Sequence, residues 1–190
     1  MMVLRKGCLM RIREAEFNDY AKIAELHTAN WQQAYAGILD DDYLQNQMLD
    51  ERKAIWQTRL IHPSLNQGIL LLEENDQLCG FICLYGNHSF DYGTMIDNLH
   101  VASGSRGKGF GKQLMAEAAT WANKHFSSLG MYLEVLKANQ AAINFYLSVG
   151  ATDSKDMVWN APCGTQVPCH TYTWQSPDQL KQAVSCHSEA

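Results

Sequence analysis

The segment Leu99-His100-Val101-Ala102-Ser103-Gly104-Ser105-Arg106-Gly107-Lys108-Gly109-Phe110-Gly111-Lys112-Gln113-Leu114 is where the sequence offers chemistry. It joins an apolar strand pattern to a helical one. Gly107, Gly109 and Gly111 strip side chains from the turn, so backbone N–H groups can come close to a ligand. The first amides of a helix lack intrahelical acceptors, and the helix dipole adds positive potential, which together suit a phosphate. Arg106, Lys108 and Lys112 crowd this N-terminus, where a cation is disfavoured by ~0.3–1 kcal/mol. The chain has only 15 basic residues against 20 acidic ones, a net charge of −5. A bound polyanion would turn the local penalty into a gain. The bland alternative is a glycine-rich tight turn with solvated cations.

Several phosphate and nucleophile loops are excluded by spacing. A Walker A loop needs glycine where Arg106 stands and a hydroxyl residue after Gly111-Lys112, where Gln113 stands. A dinucleotide fingerprint built on Gly107 and Gly109 needs glycine at Lys112. Ser103-Gly104-Ser105-Arg106-Gly107 approaches a serine nucleophile elbow but lacks its first glycine, and 190 residues is short for that fold. No two of the seven histidines lie within four residues of each other, which excludes an H-E-x-x-H zinc site. Cys163 and Cys169-His170 lack zinc spacing, so no metal is expected.

The elements that must position this loop are legible as patterns. A strand is predicted over 10–14 and a helix from Asn18 to Tyr35, with Ile23, Leu26, Asn30 and Trp31 on one side. Asp40-Asp41-Asp42 begins a short helix and Asp50 a second one reaching Ile61. Residues 68–74 and 77–85 flank the turn Asn75-Asp76 as a hairpin, and the second strand is apolar on both faces. A strand over 94–101, the loop, a helix over 109–125 and a strand over 131–136 follow. Then come a helix over 139–149 with Gly150 at C′, and strands over 152–159 and 166–174. Ser176-Pro177-Asp178-Gln179 reads as a capping box opening a short tail helix. This order predicts an α+β, three-layer αβα domain, with a mixed, mostly antiparallel sheet and helices on both faces. Its expected bounds are residues 10–175, after a flexible extension (1–9) and before a C-terminal tail (176–190).

Composition narrows the function class. The acidic balance disfavours nucleic acid or an anionic membrane as partner. The strongest apolar runs, 69–72 and 81–85, are of strand length, and residues 1–10 have no apolar core for a signal peptide. Six cysteines occur without a C-x-x-C, and Cys79 and Cys83 on one strand are too far apart to pair. Reduced thiols in a cytoplasmic chain are the expectation. Cys83, in an apolar strand, reads as a buried thiol rather than a nucleophile.

Arg106-x-x-Gly109-x-Gly111 after Leu99-His100-Val101 resembles the acyl-CoA loop of the GNAT N-acetyltransferases. Met131-Tyr132-Leu133-Glu134-Val135 comes next. Asn139 and Ala142-Ile143-Asn144-Phe145-Tyr146-Leu147-Ser148-Val149-Gly150-Ala151 then resemble that family's N…A…FY…GA segment. The likeness extends over about residues 10–174, and the ordered set of motifs is far more specific than any one of them.

The resemblance implies a sheet that splays between the strands at 95–101 and 131–136. It implies that backbone groups of Leu99 and Val101, with His100 between them, hold the pantetheine arm of acetyl-CoA, one amide polarising the thioester carbonyl. It further implies that amides of Arg106, Gly107, Lys108, Gly109, Phe110, Gly111 and Lys112 hold the diphosphate, that Asn139 lies by the pantetheine, and that Tyr146 protonates the leaving thiolate. From spacing alone Tyr146 would be an ordinary core residue beside Ala142, Phe145 and Val149.

The acidic base often found four residues before Leu99 is replaced by Met95. Asp97 falls on the same face by alternation and is the candidate base, with His100 on the opposite face. Trp31 and Tyr35 are the candidate acceptor-binding residues. The run Asp40-Asp41-Asp42 reads either as an acidic rim for a cationic amine or, preferably, as a helix cap. The implied activity is acetyl transfer from acetyl-CoA to a primary amine of a small molecule or protein, by direct attack in a ternary complex. The implied alternative is a non-catalytic acyl-CoA-binding module on the same fold. A homodimer is left open.

Overall fold

The computed structural model describes residues 2–5, 8–126 and 129–186. Eight strands form one sheet in the order β1-β2-β3-β4-β5-β6-β8-β7. They are β1 (Met2–Arg5), β2 (Cys8–Glu14), β3 (Gln67–Glu74), β4 (Gln77–Ser89), β5 (Gly93–Val101), β6 (Met131–Leu136), β7 (Thr152–Asn160) and β8 (Gln166–Trp174). All neighbours run antiparallel except β5 and β6. The α helices are α1 (Tyr20–Ala34), α2 (Met48–Ile61), α3 (Phe110–His125), α4 (Gln140–Ser148) and α5 (Pro177–Cys186).

The sheet is covered on both faces, as the two-sided apolar pattern of β4 requires. Ile82 and Leu84 face α3, packing with Leu114, Ala118 and Ala122, and Ile143 of α4 and Leu180 of α5 join that cluster. Phe81 and Cys83 face the other way, against Ile23 of α1 and Trp56 of α2. The expected three-layer α+β architecture is therefore the observed one. The hairpin turns through Asn75 (φ 52°) and Asp76 (φ 61°), the left-handed pair that matches the twist of the flanking strands.

Three local differences from the sequence reading have physical causes. The two helices expected after Asp40 are one continuous run, because a π-helical turn (Tyr43–Gln47) leads directly into α2. Asp40 Oδ1 accepts from the Tyr43 amide at 2.8 Å, and Asp42 accepts from Asn46 and Gln47. Asp40 is thus the cap, and Asp42 is held by side-chain amides one turn on. At the C-terminus the expected tail helix forms as α5, with Ser176 Oγ accepting from the Gln179 amide at 3.1 Å, but it belongs to the domain core, where Leu180 and Val184 are buried. Before Met10, Met2–Arg5 runs as an edge strand paired with β2; residues 1, 6 and 7 of the expected extension, like 187–190 of the expected tail, lie outside the described residues.

One polar cluster ties the N-terminal elements together. The Glu73 carboxylate on β3, almost fully buried, accepts from Arg11 and Arg13 of β2 and Lys22 of α1. Arg13 and Lys22 also reach Asp19. Burial alone would raise the Glu73 carboxyl, but the hydrogen bonds from Arg13, Lys22 and Arg11 outweigh it and hold the group at about 2. A carboxyl depressed in the folded state contributes stability above its ordinary value of 4.5, and that stability is lost as pH falls toward 2. Glu73→Gln is expected to lower unfolding stability by about 2 kcal/mol at neutral pH, with the difference from the unsubstituted protein shrinking in acid. Urea unfolding across pH 7 to 3 checks this.

Candidate active site

The site exists because β5 and β6 separate. Their parallel register covers Thr94↔Met131 and Met95↔Tyr132 and stops there. Beyond it lies a cleft of about 1260 Å³, lined by both strands, the loop at 105–107, α1, α3 and α4. The Ala102 amide donates to Cys79 O of β4 at 2.8 Å. By alternation Leu99 and Val101 turn their backbone groups away from β4 and into the opening. Asn30 of α1 caps one of them, donating from Nδ2 to Val101 O at 3.1 Å, and its Oδ1 accepts from Arg106 Nη2 at 3.1 Å. α1, the open strand edge and the glycine loop are joined through this one side chain.

The loop is built as its glycines require. Gly107 (φ 78°) and Gly109 (φ 82°) are left-handed, and Gly109 is the N-cap of α3. A Cβ at either would meet nothing within 4 Å, so conformation rather than space demands glycine. Gly111 serves otherwise: a Cβ there would lie 3.2 Å from Phe145 Cζ, so it lets α3 approach α4. Arg106 and Lys112 line the cleft. Lys108 does not; its ammonium pairs with Glu74 at 3.0 Å across the sheet edge. Phe110 is core, 2% exposed, leaving its backbone at the head of α3.

Tyr146 lines the cleft on α4, its ring edge-on to Phe145 (5.4 Å) and Trp174 (6.5 Å). Burial, and then the neighbouring Tyr35, raise its hydroxyl well above the ordinary tyrosine value, keeping it protonated. Its hydroxyl has no hydrogen-bond partner among the described residues. Asn139 caps α4, accepting from the Ala142 amide at 3.2 Å, and also borders the cleft.

Asp97 sits at a β-bulge. The register passes from Cys83↔Asn98 to Leu84↔Ile96, leaving Asp97 as the extra residue. The bulge reverses the alternation beyond it. His100 therefore lies on the same face as Asp97, not the opposite one expected from a regular strand: its ring stands 4.5 Å from His27 and 5.1 Å from Phe81. Burial, then Arg106, push the His100 imidazole down to about 3, so it is neutral. Asp97 is ion-paired with Arg59 of α2 at 2.7 Å and accepts a short hydrogen bond from Asn98. Arg59 itself stacks over Trp56 and Tyr85.

Across the opening, the β6 carboxylate Glu134 also lines the cleft, with no hydrogen-bond or ion-pair partner among the described residues. Burial raises its carboxyl, His88 partly offsets this, and Asp97 adds to the rise. Trp31 and Tyr35 line the cleft, edge to face at 4.9 Å, and Trp159 of β7 stands perpendicular to Trp31 at 5.4 Å. Asp40, Asp41 and Asp42 do not line it. The sequence reading missed Glu134, His27, Arg52 and Arg59. For the arginines a signal existed: Met48, Arg52 and Trp56 recur every fourth residue, and Arg59 follows three later, so α2 carries cations on its apolar stripe.

A parted parallel strand pair, a glycine-capped helix N-terminus aimed into the gap and a protonated tyrosine beyond it define an acyl-CoA transferase fold. Residues 20–151 match the acetyltransferase (GNAT) family, and the chain belongs to that family. It is an acetyl-CoA-dependent N-acetyltransferase. A probable N-acetyltransferase of Mycobacterium tuberculosis, Rv2775, is 29% identical over 163 residues, spanning 84% of this chain and 90% of that protein. An uncharacterized N-acetyltransferase of Bacillus subtilis, YuaI, is 26% identical over 141 residues, spanning 73% and 78%. Among solved structures, the PaiA N-acetyltransferase of Thermoplasma acidophilum, in complex with coenzyme A, superposes with a TM-score of 0.67 at 21% identity, covering 87% of this chain and 99% of that one. The spermidine N-acetyltransferase of Vibrio cholerae, in complex with CoA and spermine, superposes at 0.66 with 18% identity, covering 90% and 98%. At these identities the structures speak for the fold.

Proposed function

We propose that the cleft between β5 and β6 is the acetyl-transfer site, with the coenzyme on the glycine loop and the acceptor amine against α1 and α2. The observation that carries this is the pair of open edges, Leu99 and Val101, leading straight to the left-handed glycines before α3. Amides from Arg106 to Lys112 hold the diphosphate, aided by the side chains of Arg106 and Lys112. The thioester lies along β5, its carbonyl oxygen accepting from a strand amide. Asn139 borders the pantetheine arm.

The neutral amine attacks the carbonyl carbon, the C–S bond breaks, and the amine nitrogen sheds a proton. Tyr146 gives its hydroxyl proton to the departing thiolate. For the amine proton, Asp97 is held by Arg59 and Asn98, whereas Glu134 is unpaired and its proton affinity is raised. Glu134 therefore takes that proton, directly or through water, and Asp97 acts as the fixed charge that keeps Glu134 basic. Trp31 and Tyr35 wall the acceptor space. Free thiols at Cys79, Cys83, Cys163 and Cys169 support a reducing, cytoplasmic compartment. A small-molecule amine suits an acceptor space walled on several sides.

Three substitutions test the assignments. Gly109→Ala strains a left-handed residue and is expected to weaken coenzyme A binding about tenfold in calorimetry; unchanged affinity would remove the loop from the diphosphate site. Tyr146→Phe is expected to lower kcat about 100-fold while the acetyl-CoA Kd moves less than threefold. Glu134→Gln is expected to lower kcat/KM for the amine at least tenfold with acetyl-CoA affinity retained. Full turnover in E134Q and loss in D97N would return the base to Asp97.

A further inference from the structure

The acceptor side of the cleft holds two buried hydrogen-bond donors with no acceptor among the described residues. His27 of α1 is 2% exposed. Trp56 Nε1–H donates to its Nδ1 at 3.2 Å. The ring proton must then sit on Nε2, which is buried and has no partner. Arg52 of α2 is 8% exposed. One edge of its guanidinium pairs with Glu51, Nη2 to Oε1 at 2.9 Å, but its Nε is buried and has no partner. A buried donor left without an acceptor destabilises the fold.

Both groups line the same cleft and lie against the same indole. The His27 ring is 4.9 Å from Trp31, and the Arg52 guanidinium carbon is 5.3 Å from its centroid. His27 is neutral, because burial first, and then the neighbouring His100, Arg52 and Arg59, hold its imidazole well below 6.5. The pair is thus one cation and one neutral N–H, and neither Arg52 Nε nor His27 Nε2 has an acceptor among the described residues. Such a pair is satisfied by an anionic oxygen group, and the cavity carboxylates do not supply it: Asp97 is engaged by Arg59, and Glu134 is unpaired.

We infer that the acceptor is an amine that also carries a carboxylate, an amino acid or close analogue, whose carboxylate accepts from Arg52 Nε and His27 Nε2 while its amine faces Glu134. The inference rests on the acetyl-transfer reading above and adds the substrate class. A polyamine is disfavoured at this wall, since Arg52 repels a second cation and the acidic run 40–42 faces elsewhere.

The test follows thiol release from acetyl-CoA by the full chain, using the standard amino acids, their carboxamides, spermidine and n-propylamine. At least one amino acid is expected to exceed its own carboxamide, spermidine and n-propylamine about tenfold in kcat/KM, the worth of one charge-assisted hydrogen bond. Arg52→Met is expected to raise KM for that amino acid about tenfold and to erase its advantage over the carboxamide. Carboxamides used as well as the acids, or spermidine or n-propylamine preferred to every amino acid, overturns the inference and leaves the transferase reading standing. Calorimetry with N-acetyl amino acids and N-acetylspermidine, in the presence of coenzyme A, gives a second readout without turnover. Binding of the former supports the carboxylate site; its absence overturns it. Failure to bind coenzyme A at all would instead sink the transferase reading.

Discussion

Two strands that begin as hydrogen-bonded neighbours and then part are the constraint on which this molecule depends. After Met95 and Tyr132 the sheet has an unfilled strand position, and unpaired backbone in a buried place must find partners. Everything around the cleft follows from that vacancy. Leu99 and Val101 present amides and carbonyls to it, α3 aims its N-terminus at it, and α4 walls its far side with Tyr146. Asn30 satisfies one carbonyl permanently, at Val101, and fixes how far α1 stands from the edge. A ligand with amides along an arm that leads to a diphosphate, as in coenzyme A, would meet both the strand edge and the helix end.

The two sides of the gap divide the chemistry. On the α3 and α4 side, conformation dominates: left-handed glycines, a helix N-terminus and an Asn cap. On the α1 and α2 side, burial of charge dominates. Arg59 pairs with Asp97, Arg52 leans on Glu51 and Trp31, and two histidines stay neutral under apolar cover. Desolvation there favours uncharged forms, so Glu134, unpaired, is the acid whose proton affinity rises. The bulge at Asp97 links the two sides, because the extra residue turns Asp97 and His100 to a common face.

Much of this was legible in the chain itself. Strand and helix periods located β3 to β8 and the core of α1, α3 and α4 closely, because those segments have strong alternation or a continuous stripe. The glycine loop was legible because its residues are forced by backbone geometry. Gly111, which spacing reads as ligand-facing, borders the cleft and also admits Phe145, since spacing cannot tell close approach by a helix from close approach by a phosphate. His100 was placed on the wrong face because one inserted residue in a strand leaves no trace in a period-two pattern. Glu134 stood within a quoted motif, but its lack of a partner is a tertiary fact. The same holds for Arg52 and Arg59, whose cavity positions depend on how α2 docks against α1. Lys108 was counted with the phosphate cations, but Glu74, brought beside the loop by the hairpin, takes it.

The last helix bears on how the chain is handled. α5 seats Leu180 and Val184 among Ala119, Ala122 and Trp174, and Asp178 accepts from Asn123 at 2.6 Å. Gly150, at the end of the helix bearing Tyr146, has room for no side chain larger than hydrogen without crowding Ala183 at 3.0 Å. A polypeptide trimmed at Gln175 would expose apolar surface on α3 and loosen the backing of α4 at once. Expression variants that shorten this end would lose solubility and catalytic geometry together.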